Sequence, residues 1–239
     1  MERRAQSANL PILPPHMQPG AHQFTDGTNF ASAGAGVLDA AHPGTIHLKL
    51  QLSYFKDVEK SLKQKLGDKE AKKVSRNAVY LFSIGGNDYF SFSSMNRKAS
   101  QSSKGQYVKS VNGSLTSVLT VSNICHSFKL ILLIQLHEIY HMGGRKIAFQ
   151  NAGKLGCLPM IKSLDPTLGS ACSEAPSSLA RLRNRYLAVI LKKLQPSCQD
   201  SNIPSLITTM QLVIDLLTLQ NIDSKRGRPA AVAVGLTEE

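Results

Sequence analysis

The feature that most constrains the fold is a short apolar run that ends abruptly in glycines and polar residues. Residues 78–84 read Ala-Val-Tyr-Leu-Phe-Ser-Ile, and residues 85–88 follow as Gly-Gly-Asn-Asp. A run of this length predicts a buried strand whose carboxyl end opens into a tight loop. Residues 146–149, Lys-Ile-Ala-Phe, predict a second strand, which leads into a loop at residues 153–159.

Amphipathic helices are predicted between and after these strands. From residue 48 to residue 67, apolar side chains recur every three or four positions with lysines between them, and a glycine closes the pattern. Residues 178–194 show the same period. The side chains expected in the core are Leu48, Leu52, Phe55, Val58, Leu62 and Leu66 of the first helix and Leu179, Leu182, Tyr186, Val189, Ile190 and Leu194 of the second. Alternating helices and strands predict an α/β fold with a largely parallel sheet, in which ligands bind at the carboxyl ends of the strands.

Composition narrows the class of protein. A chain of 239 residues that is 42% hydrophobic suits a single domain, and it has no apolar run of about 18 residues that would predict a membrane span. The charged N-terminus lacks the apolar segment of a secretory signal. The net charge of +12 would suit a polyanion, and the basic clusters are Lys69, Lys72, Lys73 and Arg76, and Arg181, Arg183 and Arg185. No aromatic stacking platform or nucleic-acid motif accompanies them, so we favour a solvated basic face and expect no nucleic acid, with polyanion binding as the alternative.

The cysteines do not indicate a metal site. Cys125, Cys157, Cys172 and Cys198 form no Cys-x-x-Cys pair and have no histidine at metal-ligand spacing. Disulfides remain an option. A glycosylation sequon at residues 112–114 matters only if the protein is secreted.

Four segments agree in order and spacing with one known family. They are residues 23–36, the helix at 48–67, residues 84–89 (Ile-Gly-Gly-Asn-Asp-Tyr), and residues 143–159 with Leu-Gly-Cys-Leu-Pro at their end. Together they resemble the plant GDSL (SGNH) esterases and lipases, over roughly residues 9–120 and 138–195.

The resemblance implies a three-layer αβα, flavodoxin-like hydrolase domain that acts on carboxylic esters of lipids or small acyl compounds. It implies secretion and no metal or organic cofactor. In this family a serine attacks the acyl carbon, an Asp-x-x-His pair acts as its base, and a glycine N–H and an asparagine amide help to bind the oxyanion. By motif position these two donors are Gly34 and Asn87. Without the resemblance, Gly34 would only permit a turn and Asn87 would only cap a helix.

The other catalytic residues of the family are missing from this sequence. The Gly-Asp-Ser-Leu block would precede Gly34, no Gly-x-Ser-x-Gly elbow replaces it, and residues 196–239 contain no histidine. Asp39 and His42 have the spelling of the base motif but fall where the family has a variable loop. We therefore expect residues 1–239 to be a single partial domain that is catalytically incomplete, or a non-catalytic binding remnant.

The departures from the family pattern lead to further structural expectations. Residues 121–135 interrupt a family helix and should form a poorly packed insertion or an overlong helix with partly exposed apolar side chains. Residues 196–239 should form a divergent tail. Without the family's first strand, the strand at 78–84 should lack a neighbour on one side. Gly34 and Asn87 should still lie near each other at one edge of the sheet.

The resemblance also implies one disulfide. Cys157 follows a strand end and Cys172 lies in the next loop, at a separation where the family often has a bridge. We therefore expect a Cys157–Cys172 disulfide in an oxidising compartment.

Overall fold

A computed structural model describes residues 13–20, 24–38, 43–96, 98–113, 139, 142–197, 206–210 and 231–234. In this part of the chain the strands are β1 (Gly27–Asn29), β2 (Val79–Phe82), β3 (Lys146–Gln150), β4 (Leu206–Met210) and β5 (Ala231–Val234). The α-helices are α1 (Leu48–Asn77), α2 (Gly86–Met95), α3 (Gln101–Gly113), α4 (Pro159–Leu164) and α5 (Glu174–Ser197). Short 3-10 turns lie at Leu155–Cys157 and Pro166–Leu168.

The five strands form one parallel sheet in the order β1-β5-β2-β3-β4. The predicted α/β class and the parallel sheet are therefore confirmed. Because all strands run in one direction, the loops that follow β1, β2 and β3 leave from the same edge of the sheet.

The expected gap beside β2 is not there. β5 lies between β1 and β2, and residues Ala231 to Val234 pair with Val79 to Phe82 while Ala231 to Ala233 pair with Gly27 to Asn29. The expectation of an unpaired side was wrong because a strand near the C-terminus supplies the missing ladder. Two strands, β4 and β5, thus come from the segment expected to be a divergent tail.

Helix α1 begins where predicted, and its regular geometry breaks at Gly67 as predicted, although a second helical stretch follows within the same span. That glycine has φ 78°, a left-handed value, so the helix kinks there and then continues to Asn77. Leu48, Leu52, Phe55, Val58 and Leu62 are buried as predicted. Leu66 is 39% exposed, contrary to the prediction, because the regular helical row toward the core stops at the adjacent kink.

Helix α5 also differs from the prediction, at one position of the face expected to point toward the core. Leu179 is buried as predicted, and Leu182 and Tyr186 pack partly buried against the core. Val189 is 53% exposed because the inward row runs through Leu179 and Leu187, and a residue two positions after Leu187 lies about 200° around the helix from it. The side chains of Ile190 and Leu194, and all of residues 121–135, lie outside the described residues.

The Cys157–Cys172 disulfide is present, with a Cα–Cα distance of 4.5 Å, and it closes the loop that follows β3. At the base of this loop the Ser173 N–H donates to the Gly156 carbonyl over 2.9 Å. A Cβ on residue 156 would lie 1.8 Å from the Ser173 carbonyl oxygen, so only glycine allows the two ends of the loop to approach this closely.

Gly156→Ala should lower the free energy of unfolding by about 1–3 kcal/mol, because the backbone must shift to admit the methyl group. Gly153→Ala is the matched control, since a Cβ there meets no heavy atom within 4 Å. Urea unfolding followed by circular dichroism measures both. Equal stability of the two variants would contradict the close approach.

Ala233→Pro should destabilise the chain by about 1–3 kcal/mol, because proline removes a backbone N–H from a strand with a neighbour on each side. Lys154→Pro is the control, because Lys154 is exposed in a loop and its φ of −78° suits proline, so the urea midpoint should stay nearly unchanged. An unaltered midpoint for Ala233→Pro would show that β5 contributes nothing to stability.

Candidate active site

Gly34 and Asn87 lie at the carboxyl edge of the sheet, on the segments that follow β1 and β2. Gly34 belongs to the segment after β1, and Asn87 is the second residue of α2, which follows β2. The Asn87 Nδ2 atom donates to the Ala35 carbonyl oxygen over 2.9 Å. Ala35 is the residue after Gly34, so this hydrogen bond brings the two sequence-predicted site residues together.

Two glycines shape these loops. Gly34 has φ 76°, and Gly85 has φ 103° and occupies the N-cap position of α2. Residues with a Cβ rarely adopt positive φ values of this size, so both turns require glycine. Because Gly85 occupies the capping position, Asn87 does not cap the helix start, and its amide is used across the site instead.

Asp88 is a site residue for which sequence reasoning found no role. Its fully buried carboxylate accepts the Val37 N–H over 2.9 Å and the Leu38 N–H over 3.0 Å. It also lies in the first turn of α2, where the helix dipole stabilises a negative charge. The available signal was a carboxylate in the short Gly-Gly-Asn-Asp segment that follows a buried strand, because a charge that close to the core requires partners.

Tyr107 of α3 supports the same turn. Its hydroxyl donates to the Asp88 carbonyl oxygen over 2.9 Å. Burial raises the pKa of Tyr107 to about 12, so the phenol keeps its proton, and with it this hydrogen bond, further into alkaline pH than an ordinary tyrosine would.

The two basic clusters differ in their surroundings. Lys69, Lys72, Lys73 and Arg76 are exposed on the last part of α1, as expected of a solvated face. In the second cluster, Arg181 and Arg185 are exposed, and Arg181 pairs with Glu174.

Arg183 does not belong to a solvated face, contrary to the sequence-based interpretation. It is only 5% exposed because it lies in the inward row of α5, between Leu179 and Leu187. Its guanidinium donates to the carbonyl oxygens of Ile84 and Gln150. Burial lowers the pKa of Arg183, since desolvation disfavours the charged form.

Other candidate features add little within the part of the chain that the structure describes. No group of three His, Cys, Asp or Glu residues there could hold a metal ion, and no described helix is long and apolar enough to cross a membrane. Asp39 and His42, which carry the spelling of the base motif, lie outside the described residues.

Comparison with known proteins agrees with the motifs. The family model described as GDSL-like Lipase/Acylhydrolase matches residues 1–208. The chain is 41% identical over 194 residues to GDSL esterase/lipase 3 of Arabidopsis thaliana, covering 80% of this chain and 48% of that protein. It is 39% identical over 193 residues to GDSL esterase/lipase 5 of the same plant, covering 80% and 46%.

A third relative from Arabidopsis thaliana carries a different name. Inactive GDSL esterase/lipase-like protein 25 is 31% identical over 171 residues, covering 72% of this chain and 34% of that protein. The chain spans about half the length of the first two relatives, and no solved structure matches it. The family match and these identities confirm the resemblance found in the sequence: the chain belongs to the GDSL-like lipase/acylhydrolase family.

Proposed function

We propose that this chain carries the oxyanion-binding part of a GDSL ester-hydrolase site, for carboxylic esters of lipids or small acyl compounds. The observation that supports this most directly is the hydrogen bond from the Asn87 amide to the Ala35 carbonyl oxygen, which holds the amide beside Gly34. In this proposal the domain has the three-layer αβα arrangement of the family.

The chemistry requires neutral donors aimed at the oxygen that becomes negative in the tetrahedral intermediate. A primary amide nitrogen carries two hydrogens, so Asn87 can hold Ala35 with one and offer the other to the substrate oxygen. The Gly34 N–H would be the second donor. Asp88 fixes both loops through Val37 and Leu38, so the donors would be in place before substrate arrives.

The same proposal makes the chain catalytically incomplete by itself. Its sequence contains no Gly-Asp-Ser-Leu block and no histidine after residue 141. Loss of a nucleophile or of its histidine lowers turnover by on the order of 10⁶. The name of the 31%-identical inactive relative is compatible with such a loss inside the family.

An extracellular location is part of the proposal. The Cys157–Cys172 disulfide supports it, because disulfides form and persist mainly in oxidising compartments.

A chimera tests the oxyanion assignment. Residues 24–113 and 142–197 of this chain replace the matching segments of GDSL esterase/lipase 3, and hydrolysis of a chromogenic acyl ester is measured. We expect turnover, and we expect Asn87→Ala to lower kcat by about 10²–10³. Asn96→Ala is the matched control, since Asn96 is exposed at the end of α2 and donates only locally, to Phe92. An Asn87→Ala chimera as active as its parent would contradict the assignment.

The 239-residue chain itself should hydrolyse the same ester at a rate near the uncatalysed one. Robust turnover that survives His42→Ala would show that the chemistry resides elsewhere in the chain. Turnover abolished by His42→Ala would assign the base to the Asp39–His42 motif.

A further inference from the structure

Arg183 places a buried guanidinium beneath the loop that carries Asn87. The side chain comes from α5 and reaches the ends of two strands at once. Its Nη1 donates to the Gln150 carbonyl oxygen over 2.8 Å, and its Nη2 donates to the Ile84 carbonyl oxygen over 3.1 Å. Nη1 also reaches the Asn184 Oδ1 atom over 3.1 Å.

These carbonyl groups lie just beyond the point where β2 and β3 stop pairing with each other, while Gln150 still pairs with Met210 of β4. The last register pair between β2 and β3 joins Phe82 to Phe149. Past this pair β2 and β3 no longer bond to each other, and a carbonyl group that is removed from water there requires another donor. The rigid fork of a guanidinium can bind two such groups together, which a flexible lysine cannot do with the same geometry.

The Ile84 carbonyl group sets the direction of the chain as it enters the Asn87 loop. A Cβ built on Gly85 would lie 3.9 Å from the Arg183 Nε, so the guanidinium packs directly against this turn. Asn87 and Asp88 follow within four residues of Ile84 and bind the backbone of the Gly34 segment. A displacement of Ile84 would therefore move both candidate oxyanion donors.

We propose that Arg183 is a positioning residue for the oxyanion loop, residues 84–88, through its grip on the carbonyl groups of Ile84 and Gln150. This inference rests on the proposed function of Asn87. Arg183 does not touch the substrate in this arrangement; it acts through the backbone. A residue with a purely structural role would change the stability of the fold but not the placement of this loop within a folded chain.

Hydrogen exchange in the 239-residue chain measures the placement without any need for turnover. In Arg183→Gln we expect the Val37 and Leu38 amides, which Asp88 holds, to exchange about tenfold faster or more. The Ala148 amide inside β3 should keep its protection. Arg185→Gln is the matched control, because it makes the same change two residues along α5 at an exposed position, and it should leave all three amides unaltered.

Arg183→Lys provides a second variant if the glutamine variant does not fold. It keeps the charge but loses the fork, so the Val37 and Leu38 amides should again exchange faster, by a smaller factor. Unchanged exchange in whichever variant folds would overturn the proposal. Failure of both variants to fold would also overturn it, because Arg183 would then serve the fold as a whole.

Kinetics in the chimera separate this inference from the proposed function. Arg183→Gln should lower kcat by up to about 10²-fold with KM unchanged, as expected for a displaced catalytic group. Faster exchange at Val37 and Leu38 in a chimera without ester turnover would leave Arg183 as the positioning residue and refute the ester function. An active chimera whose kcat does not respond to Arg183→Gln would refute the role of Arg183 alone.

Discussion

The buried carboxylate of Asp88 is the interaction on which the candidate site depends. It accepts the backbone N–H groups of Val37 and Leu38 and so joins the segment after β1 to the start of α2. A buried charge is tolerated only when its hydrogen bonds are satisfied, and here two amides and the first turn of a helix satisfy it. The loops that carry Gly34 and Asn87 are held together because separating them would leave this carboxylate without those partners.

The parallel sheet gives that interaction its fixed base. Both loops leave from carboxyl ends of strands in one sheet, and β5 pairs with both of those strands, β1 and β2. A strand near the C-terminus therefore unites the two segments that form the site. On the other side of β2, where its pairing with β3 ends, Arg183 joins the two strands by donating to the carbonyl oxygens of Ile84 and Gln150.

The loop between Cys157 and Cys172 is also held by close contact between backbone groups. Gly156 lets its carbonyl group lie against the Ser173 amide, and the bridge from Cys157 to Cys172 closes the loop above this contact. Asn184, the neighbour of Arg183 on α5, bonds both the N–H and the carbonyl oxygen of Ala152 at the start of the same segment. Helix α5 thus orders the segments that follow β2 and β3 with two consecutive side chains.

The sequence by itself determined the class of fold, the start of α1, the strands β2 and β3 and the family, because these follow from local periodicity or from motifs that are contiguous in the chain. The disulfide was expected from the family resemblance that those motifs carry. The sequence also identified Gly34 and Asn87 through such motifs. Only the tertiary structure decided that β5 fills the place beside β2, that Leu66 and Val189 face outward, and that Arg183 is buried beneath the site. The physical reason is that strand pairing and the burial of a charge depend on partners distant in sequence: Ile84 and Arg183 are 99 residues apart, and no local pattern in the chain specifies that they meet.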